Sequence, residues 1–140
     1  MPTPSDISHE TIAQHLAQAY RLRVAQAELL PASASATSAA FRVIAGDETL
    51  CFLKLQQGAI DPPAALALCA FLHHDKGIDA VMAPMPATDG TLGTQGHGFE
   101  WTLYPFFDGQ SGFDRTLSDR QWIALGKALG AIHRTQLPEA

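Results

Sequence analysis

Six histidines, one lysine inside an apolar run and a complete lack of asparagine bound the chemistry open to this 140-residue sequence. His9-Glu10 followed by His15 has the residue types of a zinc protease. Its spacing is wrong: a helical zinc pair needs histidines four apart. Six positions turn the second ring through about 240° around a helix. His73 and His74 are adjacent and point apart. No metal site is therefore expected, and the histidines read as solvated surface groups. Cys51 and Cys69 lie among apolar neighbours without a CxxC spacing, so they read as two reduced, buried thiols. No G-x-S-x-G elbow, Cys/His nucleophile or Walker loop can be assembled, and no catalytic residue is assigned.

Lys54 is different. It interrupts the apolar run Cys51-Phe52-Leu53-Lys54-Leu55. A lysine there is costly unless its ammonium reaches water or an anion. Two readings are open. The side chain snorkels to solvent from an edge strand, or it meets a phosphate, as the strand lysine of a kinase does beneath its phosphate-covering hairpin.

The elements around Lys54 decide how it is presented. Residues 7–20 have helical spacing, with Ser8 as cap, Glu10 in the first turn and Ile12, Leu16 and Ala19 as the stripe. Residues 24–31 are extended. The Ala/Ser/Thr run 32–40 is a hairpin loop, leading to a strand at 41–45, a turn at 46–48 and a strand at 50–55. Asp61-Pro62-Pro63 starts a helix that reaches Asp75 and stops before Gly77. Its middle, 64–72, is apolar all round and predicts burial on more than one side. A second β region covers 79–105, with turns at Asp89-Gly90 and at 95–98 and a last strand at 99–104. After a Gly-rich connection, Ser118-Asp119-Arg120-Gln121 is a capping box. It opens a helix striped by Trp122, Leu125, Leu129 and Ile132, with Gly126 and Gly130 beside the stripe to admit a neighbour. The pattern is α+β: about five antiparallel strands, one crossing helix and a helix at each end.

Composition removes several classes. Apolar residues are 46% of the chain, enough for a core, and charged residues 16%. Nine basic against fourteen acidic side chains leave a net charge of −5, which does not suit nucleic acid. The first residues do not form a signal peptide, and the longest apolar stretch is far short of the ~20 residues of a membrane helix. A cytoplasmic protein is expected.

Several stretches carry a family resemblance. They are 19–22 (Ala-Tyr-Arg-Leu), 41–43 (Phe-Arg-Val), 52–55 (Phe-Leu-Lys-Leu) and 83–86 (Ala-Pro-Met-Pro) before Asp89-Gly90. The most specific is 103–110, Leu-Tyr-Pro-Phe-Phe-Asp-Gly-Gln, with Gly112-Phe113, followed by Leu117-Ser118-Asp119, Trp122, Leu125-Gly126, Leu129-Gly130 and Ile132-His133. The sequence resembles the N-terminal part of the aminoglycoside phosphotransferase family, and within it the spectinomycin phosphotransferase branch. The resemblance implies a kinase-like N-lobe at 1–105, a hinge and linker at 106–117 and the first helix of a second lobe at 118–140. It implies ATP and Mg²⁺ as cofactors. Lys54 would contact the nucleotide phosphates. Tyr104, Pro105, Phe106 and Phe107 would be the hinge beside adenine. Ser33, Ser35 and Ser38 would lie in the phosphate-covering loop.

The sequence also departs from that family. Its loop at 32–38 has no glycine, although hydroxyls can donate in place of backbone N–H groups. The helix lacks the usual acidic partner of the lysine, leaving Asp61 as the substitute. Kinase chemistry needs a base Asp, a Mg²⁺-binding Asn and a second Asp. His73-His74-Asp75 precedes the hinge, and no asparagine exists. The implied function is the nucleotide-binding lobe of a small-molecule phosphotransferase, not catalytically complete by itself. The alternative is a non-catalytic lobe that self-associates or binds a partner through 64–72 and Trp122, Leu125, Leu129 and Ile132.

Overall fold

A computed structural model of the chain describes residues 3–30, 34–57, 63–106 and 116–136. After a single 3-10 turn at Pro4–Asp6, helix α1 runs His9–Tyr20. Ser8 starts it: its Oγ accepts the Thr11 N–H at 3.1 Å. Arg21, at φ 51°, ends it in the left-handed conformation. Strands β1 (Val24–Leu29), β2 (Ser38–Ala45) and β3 (Leu50–Gln57) follow as a meander. Helix α2 (Pro63–Ala70) continues into one wider π-helical turn at Phe71–Asp75. Strands β4 (Thr94–Gly96) and β5 (Phe99–Pro105) form a hairpin, and helix α3 runs Asp119–Arg134. Ser118 and Gln121 form the expected capping box on α3: the Ser118 Oγ accepts the Gln121 N–H, and the Gln121 side chain accepts the Ser118 N–H.

The five strands pair antiparallel in the order β1-β2-β3-β5-β4. Alternation along each strand sends every second side chain to one face. On that face Ala39, Phe41, Val43, Cys51, Leu53, Leu55, Phe99, Trp101 and Leu103 pack against Ile12 and Leu16 of α1. Burying each large apolar side chain stabilises the fold by about 1.5–3 kcal/mol, which makes this face the core. The α+β architecture is the one expected.

Four expectations need correction. β2 begins at Ser38, inside the stretch read as loop, because Ala39 and Ala40 are small enough to be buried in the sheet. The β region expected from 79 contains only the three-residue β4 before the final strand β5. Pro84 and Pro86 lack the N–H groups a ladder needs, and Met85 makes one isolated bond, to the Leu103 carbonyl at 2.6 Å. α2 is not buried on several sides: Leu66 and Leu72 are buried, whereas Leu68 is 40% exposed. His15 is not a surface group. It is buried on the same face of α1 as Ile12 and Leu16. Among the described residues no helix is long and apolar enough to cross a membrane.

Candidate functional site

Because β3 is the middle strand of the sheet, Lys54 is not an edge lysine. Cys51, Leu53 and Leu55 face α1, so Phe52, Lys54 and Gln56 face the other way. Lys54 is half-buried there. Its directly opposed neighbours are Ala40 on β2 and Thr102 on β5, 3% and 4% exposed respectively. Flanking residues that closely packed leave the side chain one direction, outward from this second face. Lys54 thus belongs to the face of the sheet turned away from the α1 core.

The register adds three side chains to this face that sequence reasoning did not single out as site residues. Phe52 is opposite Tyr104, with ring centroids 6.2 Å apart at 57°. Arg42 is opposite Phe52. Its guanidinium lies 5.6 Å from the centre of the Phe106 ring and 3.7 Å from the Glu28 carboxylate. Glu100, opposite Gln56, completes the row. Only strand pairing brings these together; their sequence spacing carries no signal.

The other expected residues are partly placed. Ser35 and Ser38 staple the turn before β2. Ser35 Oγ accepts the N–H groups of Thr37 at 3.3 Å and Ser38 at 3.1 Å, and its hydroxyl lies 3.0 Å from that of Ser38. The turn therefore uses on itself two N–H groups that a phosphate loop would direct at its ligand. Of the residues expected to form the hinge, Tyr104 and Phe106 are half-buried and Pro105 is exposed. Pro105 has no N–H, and the Phe106 N–H donates to the Leu50 carbonyl at 3.4 Å. Ser33, Asp61 and Phe107 lie outside the described residues.

α2 stands beside the same face. Leu66 and Glu100 line a cavity of about 360 Å³ together with residues 91–95. Gly93 lets the helix come close: a Cβ there would sit 3.3 Å from Leu66 Cδ1 and 3.6 Å from Glu100 Oε1.

A second polar group sits across the core. The His15 ring stacks on Trp101 at 4.0 Å and 20°, and its Nε2 is 2.9 Å from Thr94 Oγ1. Trp101 Nε1–H donates to the Gly96 carbonyl at 2.9 Å. Burial lowers the His15 pKa, and the nearby His97 adds to the effect. Burial likewise raises the Tyr20 phenol. His73 is also tied down, its Nδ1 lying 2.8 Å from the Val81 carbonyl. Among the described residues no group of three or more His, Cys, Asp or Glu side chains could hold a metal ion.

A five-stranded antiparallel sheet with a half-buried lysine on its central strand and a helix beside the lysine's face is a kinase-like N-lobe. In fold and sequence the chain resembles part of an aminoglycoside phosphotransferase. It is similar to the crystal structure of spectinomycin phosphotransferase, APH(9)-Ia, in complex with ADP and spectinomycin, with a TM-score of 0.81 and 28% identity over 94% of this chain. The AMP-bound complex of the same phosphotransferase gives a TM-score of 0.77 and 27% identity. The chain spans 39% of the length of those structures. No protein-family model and no curated protein matches it.

Proposed function

We propose that this chain is the nucleotide-binding lobe of an ATP-dependent phosphotransferase acting on a hydroxyl of a small molecule, of the aminoglycoside or spectinomycin kind. The observation that carries this is Lys54, half-buried on the central strand and turned away from the core. The similar phosphotransferase, solved with ADP and with AMP, supports the nucleotide as ligand. The Lys54 ammonium contacts the α- and β-phosphates, where its charge is worth more than in open water. Tyr104, Pro105, Phe106 and Phe107 border the adenine. Ser33, Ser35 and Ser38 lie toward the phosphates, and Asp61 is a candidate partner for the lysine.

ATP brings Mg²⁺ with it, and no residue of this chain is assigned to the ion. The lobe is accordingly proposed to bind nucleotide without turning it over alone. A cytoplasmic location goes with the use of ATP. The test is thermal denaturation with and without Mg-ATP. A ligand at a hundred times its Kd stabilises a protein by about 2.7 kcal/mol. The wild type is expected to gain several degrees and Lys54→Ala to gain none. No shift in the wild type removes nucleotide binding by this chain.

A second reading is a self-associating or partner-binding module. It is supported by the exposure of Trp122 at 57%, Leu125 at 43% and Leu129 at 47% on α3, and of Leu68 on α2.

A further inference from the structure

We propose that Glu100 of β5 is the positioning carboxylate of Lys54, taking the place of an acid that α2 does not carry. This rests on the reading of Lys54 as the phosphate-contacting residue. From 63 to 74 the sequence contains no acid, so no residue of α2 or of the first part of its π-helical turn can supply a carboxylate. Strand pairing supplies one instead. Thr102 is opposite Lys54 and Glu100 is opposite Gln56, so Glu100 is the diagonal neighbour of Lys54 on the same face. Diagonal Cβ atoms on adjacent strands are separated by roughly 7–8 Å or somewhat less, within reach of two long side chains.

The placement of the carboxylate fits the task. Its Oε2 is fully buried. A buried carboxylate is costly without a cation nearby, so the site favours one. Arg42, the other described cation on this face of the strands, is already beside Glu28. Glu100 Oε1 lies against Gly93 at the point where Leu66 of α2 also arrives, in the crevice between helix and sheet. Glu100 reaches this crevice from the sheet side, on a rigid strand.

The ion pair would hold the ammonium extended along the face and keep it from folding back toward solvent. The chain would then need no movement of α2 to orient its lysine.

The experiment separates this pairing from nucleotide binding. In protein labelled with ¹³C,¹⁵N-lysine and free of nucleotide, the Lys54 Cε–Hε signal is assigned by its loss in Lys54→Ala. Glu100→Gln is expected to move that signal while leaving the melting temperature near wild type, and Glu100→Asp to restore part of the shift. Asp61→Asn is expected to leave it in place. Calorimetric titration with Mg-ADP then gives Kd. Loss of a charge-assisted contact predicts roughly a tenfold rise for Glu100→Gln. The double variant with Lys54→Ala should bind no more weakly than Lys54→Ala alone, since the two act as one unit. If Glu100→Gln leaves the Lys54 signal unmoved, or if Asp61→Asn moves it instead, the assignment is overturned. If the signal moves but wild type binds no Mg-ADP, the pairing stands and the nucleotide reading fails.

Discussion

His15 shows how much one side chain depends on distant parts of the chain. Its ring fits between α1 and the β4–β5 hairpin because residue 96 is glycine. A Cβ at Gly96 would lie 2.8 Å from both Cε1 and Nδ1 of His15. Gly96→Ala is expected to cost about 1–3 kcal/mol, the usual penalty of overpacking. Urea denaturation of the double variant with His15→Ala should recover much of that loss, because the clash has gone. The same ring makes stability depend on pH. Burial holds the folded-state pKa of His15 below its ordinary 6.5. The unfolded chain therefore takes up the proton first as pH falls, and stability declines once pH drops through about 6.5. Asp6, Asp47 and Asp89, whose pKa values are lowered by hydrogen bonds from Thr3, Thr49 and Thr91, act lower, where stability is lost on protonation within the carboxylate range. His15→Gln should flatten the decline between pH 7.5 and 5.5 in urea midpoints and leave the acid limb intact. An unchanged slope would remove His15 as its source.

At the scale of elements, β3 is where the sequence was most readable. The order Cys51-Phe52-Leu53-Lys54-Leu55 was legible as a strand carrying a lysine, and the ladder adds which side each residue faces. Leu53→Ala should lower stability by about 2–5 kcal/mol, as expected for a truncated core leucine. Gln56→Ala, on the other face, should cost clearly less, because it opens no cavity in the core. Equilibrium denaturation distinguishes the two, and equal effects would mean that the faces are misassigned. The caps at Ser8 and Ser118 were equally legible because a cap is a local hydrogen bond. α2 is hard to read for the opposite reason. Its run of Ala and Leu gives no polar stripe to mark the solvent side, so only packing decides that Leu66 is buried and Leu68 exposed. Glu100 could not be recognised from its neighbours either, since its relation to Lys54 exists only through the pairing of β3 with β5. The burial of His15 is not legible locally either, since its partner Thr94 is 79 residues away.

For the whole molecule, the charge content of 16% acquires a location. The lobe closes its core with α1, while α3 has no buried residue and carries Trp122, Ile123, Leu125 and Leu129 at 57%, 60%, 43% and 47% exposure. No element approaches Gly126 among the described residues, where a Cβ would meet nothing within 4 Å. Apolar patches of this kind usually mark an interaction surface. Covering them would return about 1.5–3 kcal/mol per large side chain. Association costs an estimated 4–15 kcal/mol in lost freedom, so four such residues per chain support a weak rather than a tight self-complex. Light scattering should therefore give the monomer mass of 15.0 kDa when dilute and a rising mean mass at high concentration. The two tryptophans allow the surface to be located. Trp101 is fully buried in the core, whereas Trp122 is exposed. Only Trp122 can shift its fluorescence to the blue as chains associate. Trp122→Ser with Leu129→Ser should abolish both the mass increase and the shift while the sheet's circular dichroism persists. A constant monomer mass at every concentration rules out self-association and leaves α3 to a different partner.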